Sequence, residues 1–524
     1  MKDYKIYLLA LGLMFTSVVT IQAQEKNYYR MDRLKANNPW VNSFNAAGLT
    51  TGTTDRFSII EGGWQYENGK YRNVSDPSSS NRMNLLTESL LRLNKVYFYG
   101  KFSFDYAIRN NMGWTNVLDP YYTPIYMADS VPGKQTLEVY HLDGGVGYSI
   151  GKHFAVGAKI TYETASNAKH KDARNQNTYM NLRLYPGVLF STGNFRLGVN
   201  MIYQKMTELV DVKIIGTGKI HEIFEFEGLW HYKSIILTEG GTLERDHQEN
   251  LYGGAFQFEI ARGKFSFFNE FSVTHRTQEV LPSAFTNEKN GKIKERRYVY
   301  DGLLRKGTDA YDHYLSWQLD VSNCLGYENI QQSEVIGQDE VWVQYGVKNK
   351  SSVDKINAGI DYRIFRNRTA YNSSWDARAG VRGFHMERVY RLYPVEFVQK
   401  LENYEGYIGF NKNFLFEKGM FDCGINLAYT IGAGKPLETD MEANGEVPRR
   451  EQYKRRDDLL GSEFEYITSD RFRGGLNLRY TRFINKSKGM SLYGDAQIGY
   501  NRSLSGYFKG ENRTNVRAII GFAF

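Results

Sequence analysis

Cysteine is almost missing: 2 residues in a chain of 524. That excludes a disulfide-stapled scaffold, which needs dense pairs. Proline is scarce too, at 10 residues, against a usual share of about 5%. Scarce proline beside 39 Tyr, 31 Phe and 7 Trp excludes a disordered chain. Long apolar runs are missing after the first 25 residues, and mean hydropathy is −0.52. A helical membrane bundle is thereby excluded. Charge of one sign does not dominate either. Lys+Arg total 66 and Asp+Glu 58, a net +8 mixed along the chain. A compact nucleic-acid binder would gather its basic charge on one face, so no nucleic-acid partner is expected. What is plentiful is glycine, 50 residues, with Tyr and Phe. The remaining class is a large β protein.

Residues 1–23 read as a secretory signal peptide. Lys2 and Lys5 give a positive start, Ile6 to Ile21 is apolar, and Ile21-Gln22-Ala23 fits a cleavage site. Gln24 would open the mature chain. The other reading is a membrane anchor helix, but the apolar run is short for a full span. No cysteine follows the site, which argues against a lipid-anchored start.

The mature chain alternates with period two. Phe154, Val156, Ala158, Ile160 and Tyr162 share one face of a strand; Lys159, Thr161 and Glu163 share the other. Phe195 to Gln204 repeats the pattern, so Val199 should face lipid and Asn200 the lumen. On that reading Asn200→Arg is tolerated in a wet lumen and Val199→Arg is not. Each segment is about 10 residues, the length of a tilted transmembrane strand. Charges fall mid-strand on the polar face, and the apolar face often ends in an aromatic residue. Short turns such as Gly151-Lys152-His153 alternate with long polar loops near 110–135, 166–176, 209–249, 280–308 and 433–460. Short periplasmic turns and long outer loops mark outer-membrane barrels.

The expected fold is all-β: a closed antiparallel transmembrane β-barrel of about 18 strands, with 14–16 as alternatives. The expected spans include 311–325 descending, 334–346 ascending and 353–366 descending. Residues 56–524 form the barrel. Residues 24–55 form an irregular N-terminal segment, either a lumenal plug or a periplasmic tail. Pro39, Trp40 and Phe44 are the plug candidates. The last strand, Asn515 to Phe524, alternates and ends in an aromatic residue, which makes Phe524 the candidate assembly signal for the barrel assembly machinery.

Chemistry is sparse. The nine histidines form no H-x-x-x-H pattern, and no phosphate loop or nucleophile elbow occurs. No catalytic residue, metal or cofactor is expected. Parity puts Cys324 inward and Cys423 toward lipid, so both should be free thiols. Parity also turns Asp361, Arg363, Asp376, Arg378 and Arg382 inward. They form either a selective constriction or a cross-strand ion-pair network; opposite signs on neighbouring strands favour the network. Basic loop runs at Arg449-Arg450, Lys454-Arg455-Arg456 and Lys292 to Arg297 could meet lipopolysaccharide phosphates, or be solvated tips.

The signal peptide, the Tyr/Asn-rich alternating strands, the Asn38-Pro39-Trp40 segment and Phe524 together resemble an uncharacterised family of Bacteroidota-type outer-membrane β-barrel proteins. The resemblance implies a companion of TonB-dependent receptors and surface lipoproteins in nutrient or metal uptake. It implies an outer-membrane location, with lipid and lipopolysaccharide as surroundings, and offers no catalytic residues. The Asn-Pro segment is also similar to the long-chain fatty acid transporter barrels. The expected function is therefore a non-enzymatic uptake barrel, transporting or accessory. The alternatives are a hydrophobic-solute transporter with an N-terminal plug, and an outer-membrane barrel enzyme.

Overall fold

A computed structural model describes residues 31–282, 289, 291–337, 339–369, 372–393, 395–439, 454–485 and 489–524. The leader 1–23, residues 24–30 and Arg449-Arg450 lie outside the described residues.

Eighteen antiparallel strands close into one barrel. The first eight run as β1 (Arg56–Gly69), β2 (Ser79–Leu93), β3 (Val96–Met112), β5 (Gly133–Ile150), β6 (Phe154–Lys169), β7 (Arg174–Thr192), β8 (Phe195–Lys213) and β11 (Thr242–Arg262). Next come β12 (Phe265–Leu281), β13 (Gly291–Gly307), β14 (Tyr311–Ile336), β15 (Asp339–Thr369) and β16 (Asn372–Leu392). The last are β17 (Val395–Phe416), β18 (Gly419–Thr439), β20 (Arg471–Asn485), β21 (Met490–Ser503) and β22 (Asn512–Ala523). A further four short strands, β4 (Tyr126–Asp129), β9 (His221–Gly228), β10 (His231–Leu237) and β19 (Lys454–Arg455), make a separate sheet at the long-loop end. Helix α1 (Met31–Asn37) and two 3-10 turns precede the barrel, and α2 (Asp457–Thr468) follows β19.

Closure follows from the solvent. In lipid every backbone N–H and C=O must pair within the protein, so a spanning sheet can have no edge. Here β1 pairs with β2 on one side and with β22 on the other. The side chains sort by parity. Val199 and Met201 of β8 are exposed outward, whereas Asn200 and Gln204 are buried inward. No helix among the described residues is long and apolar enough to cross a membrane.

The strand count is as the periodicity gives it, but two errors in placement cancel. The expected loop over 280–308 contains β13. Lys292, Lys294, Arg296 and Arg297 are strand residues: Lys292 pairs with Glu279 at 3.3 Å and Arg297 with Asp320 at 2.7 Å. Charges at Lys294 and Arg296 sit on the outward parity and break the apolar face that marks a strand. The expected strand 334–346 is no single strand, because β14 ends at Ile336 and β15 begins at Asp339. Residues 311–325 consequently ascend. At 26 and 31 residues, β14 and β15 far exceed a membrane span. A span-length expectation divides such a hairpin wrongly.

Candidate functional site

The barrel interior is furnished from the wall inward. Gly147, Gly157 and Gly187 are direct cross-strand partners on β5, β6 and β7. With Gly198 on β8 they leave a groove with no side chains. A Cβ on Gly157 would lie 2.2 Å from the Ala47 nitrogen, and one on Gly187 2.4 Å from Asn45 Oδ1. The groove receives residues 45–47 of the N-terminal segment. This glycine row is the feature that the sequence analysis missed. Its signal was there: glycine at the inward parity on consecutive strands.

The segment itself is built from caps. Asn38 accepts from the Trp40 amide at 3.1 Å and Pro39 starts the first 3-10 turn. Asn45 accepts from the Ala47 amide at 3.1 Å and starts the second. Trp40 is fully buried. Its Nε1 donates to Glu259 at 2.6 Å and its ring stands edge-on to Phe268 at 5.1 Å. Ser43 Oγ donates to Glu270, and Phe44 stacks on Tyr185 at 5.4 Å. The Asn45 amide donates to the Val188 carbonyl at 2.9 Å and to Gln257 at 3.0 Å. In α1, Arg33 pairs with Asp312 at 2.6 Å and lies over Phe365 at 3.8 Å. Residues 31–52 thus lie against inward faces from β5 round to β15.

The inward charges of β15 and β16 begin at this contact, where Arg363 lies over the same Phe365 ring as Arg33, at 4.3 Å. The register sets Arg363 directly opposite Arg378. Like charges so placed repel, and each reaches diagonally to a carboxylate. Arg363 pairs with Asp376 at 2.8 Å and Arg378 with Asp361 at 2.5 Å. Tyr407 OH donates to Asp361 at 2.6 Å, and Arg382 lies over the Tyr407 ring at 4.8 Å. Between these charges and the N-terminal segment is a cavity of about 550 Å³, lined by Lys35, Glu270, Asp301, Asp361, Arg378 and Arg382 among others. Cys324 and Cys423 are both free, and Cys324 Sγ lies 3.8 Å from inward-facing Arg276.

At the opposite end the long loops fold over the barrel as a cap. Met127, Ile223, Phe224, Phe226, Trp230 and Leu459 share one apolar core with Val210 of β8 and Phe397 of β17. Lys233 and Lys350 alternate with Glu227 and Glu328 in a ring of four contacts, 2.7–3.3 Å, joining the cap to the β14–β15 hairpin. His231 stacks on Tyr390 at 3.8 Å; burial, and then the charge of Arg455, hold its imidazole down at about 3. The basic run is engaged inside the cap: Arg456 pairs with Asp458 at 2.6 Å and lies over Trp114 at 4.1 Å. Among the described residues no three His, Cys, Asp or Glu side chains are placed to hold a metal. At the short-turn end Phe524 exchanges both main-chain hydrogen bonds with Ser58, at 2.8 and 2.9 Å.

A family model described as a family of unknown function (DUF6850) matches residues 46–524, and the chain belongs to that family. No curated protein matches. Among solved structures the chain is similar to the ferric preacinetobactin receptor BauA of Acinetobacter baumannii: 10% identity, TM-score 0.41, covering 90% of this chain and 80% of that one. It is similar to the ferric citrate transporter FecA at 9% identity and TM-score 0.39, covering 90% and 79%. It is also similar to a Pseudomonas aeruginosa FadL homologue at 11% identity and TM-score 0.33, covering 94% of each chain.

Proposed function

We propose that this barrel is an outer-membrane uptake component for polar solutes, held shut at rest by its own N-terminal segment. It works without enzymatic chemistry, as a transporter or as an accessory beside a TonB-dependent receptor or surface lipoprotein, in a Gram-negative envelope of the Bacteroidota type. Residues 1–23 export it, and the barrel assembly machinery inserts it with Phe524 as the signal. The observation that carries this reading is the seated segment: four wall glycines are kept bare where residues 45–47 lie, and a charged cavity is left beside them. A packing so specific is costly for a mere tail. The charged lining speaks for a polar solute and against the hydrophobic-solute alternative.

The test is conductance in planar bilayers, with liposome swelling by amino acids and sugars. Wild type should be nearly silent. Deletion of residues 31–52, alone or together with cap residues 216–240, should open a steady conductance at least about tenfold above it. Heat-shifted gel mobility verifies insertion of each variant. Free conductance by wild type, or silence of both inserted deletions, overturns the proposal.

A further inference from the structure

The cap encloses a second cavity that the gating described above does not use. It measures about 280 Å³ and lies between the cap and the inner faces of β14 to β16. One wall is ring-rich: Tyr121, Phe226, Trp230 and Phe384 line it, with Met386 beside them. Phe226 and Trp230 meet edge to face at 4.9 Å, which fixes both rings.

The polar groups in the lining divide into engaged and unengaged. Arg276 is held by Glu249 and Glu295, and Arg388 by Glu463 at 2.8 Å. Lys355 has no carboxylate within ion-pair distance among the described residues; its one hydrogen bond, to the Tyr121 carbonyl, is long at 3.4 Å. Ser351 is only 2% exposed, yet its Oγ has no partner among the described residues. Its position is specified. A Cβ on Gly326 would come within 2.3 Å of that Oγ, and one on Gly228 within 3.2 Å. Two glycines therefore wall in a hydroxyl that has no partner among the described residues. A buried hydroxyl left unsatisfied is costly, and an unpaired ammonium beside apolar rings is more so. The hydroxyl is walled in and closed to a ligand, so the ammonium is the group that a ligand would satisfy.

We infer that this cavity binds a small carboxylate carried on a flat ring, with Lys355 taking the carboxylate and the aromatic wall taking the ring. Apolar walls with a few convergent polar groups are the usual form of a small-ligand site. The flat body is either an aromatic ring or the apolar face of a sugar. This site does not depend on the gating proposal, since it can bind in a barrel that conducts nothing.

The full chain in detergent micelles should be titrated with 4-hydroxyphenylacetate and with glucuronate, following tryptophan fluorescence and calorimetry. Their neutral counterparts, 4-hydroxyphenylacetamide and glucose, serve as comparisons. At least one acid should bind one to one, at least about tenfold more tightly than its neutral counterpart. Lys355→Met should remove that preference. Whichever acid binds identifies the body. Absence of saturable binding by both acids, equal binding of acid and neutral analogue, or affinity unchanged in Lys355→Met overturns the inference. If Lys355→Met does not insert, the wild-type comparison of acid with neutral analogue still decides.

Discussion

Gly157 has no side chain, and the Ala47 nitrogen lies 2.2 Å from where one would begin. The clash is with backbone, so no rotamer relieves it. Gly157→Leu should insert normally but leave the N-terminal segment unseated, seen as protease cleavage within residues 31–52. Gly100→Leu, on the outward parity with nothing within 4 Å, is the size-matched control. Among the charges, burial sets the ranking. Arg33 and Asp312 are both under 5% exposed, so Arg33→Ala should cost up to about 3–5 kcal/mol, leaving the buried carboxylate only its longer 3.6 Å contact with Arg305. Arg378 is 42% exposed toward the cavity, and Arg378→Ala should cost at most about 1 kcal/mol. Heat-induced mobility shifts would rank the two; the reverse order refutes this account. Parity made the inward charges of β15 and β16 legible in the sequence. It could not single out Arg33, whose burial exists only once α1 is seated. The same limit applies to Asn200. Val199→Arg should cost about 2–4 kcal/mol in the bilayer, as the alternation implies. Asn200→Arg should fail as well, because Asn200 is 2% exposed and accepts from Gln257 at 2.7 Å beneath Asn45. The wet lumen expected there is filled.

Elements were legible where solvent imposes one period, and illegible where it does not. Between the apolar band and water the alternation of β6 and β8 is plain in the letters. At its upper end β13 exposes Lys294 and Arg296 outward, and β14 and β15 run on past the length of a membrane span, so there the outer face need not be apolar. The cap sheet is a case of its own: β9 reads HEIFEFEG inside the expected loop 209–249, and two of its sheet's strands, β4 and β19, come from distant stretches. The cap should respond to acid. His231 binds its proton at about 3 in the fold, against about 6.5 when unfolded. Its contribution is therefore complete above about pH 6.5 and is lost as pH falls toward 3, by up to about 1.4 kcal/mol per unit. Limited proteolysis of the cap at pH 7 and pH 4 should show the loosening, and His231→Phe, which keeps the stack on Tyr390, should flatten it. For β22 we propose that loss of Phe524 lowers the amount inserted. The two main-chain bonds to Ser58 lie at the watery end, where solvent can replace them. Heat resistance of the inserted fraction should stay nearly unchanged, and a large fall would contradict the assembly role.

As a whole, the molecule joins its extremes: Ile59 pairs with Ala523 across nearly the full chain. The segment before β1 packs beside this seam, where Met31 and Leu34 meet Phe57, Ile59, Tyr493 and Ala523. It also reaches round to Arg33's partner on β14 and to the glycine groove on β5 to β8. An unclosed sheet can curl around such a segment from the side. A closed one offers only the narrow short-turn mouth, through which an already folded segment would have to be threaded. The seated state is thus a product of wrapping, and its occupancy depends on history as well as on affinity. A barrel refolded from residues 53–524 and later given the 31–52 peptide should stay empty. The same peptide present during refolding should be enclosed, and should then remain through washes that last far longer than its own binding equilibrium would allow.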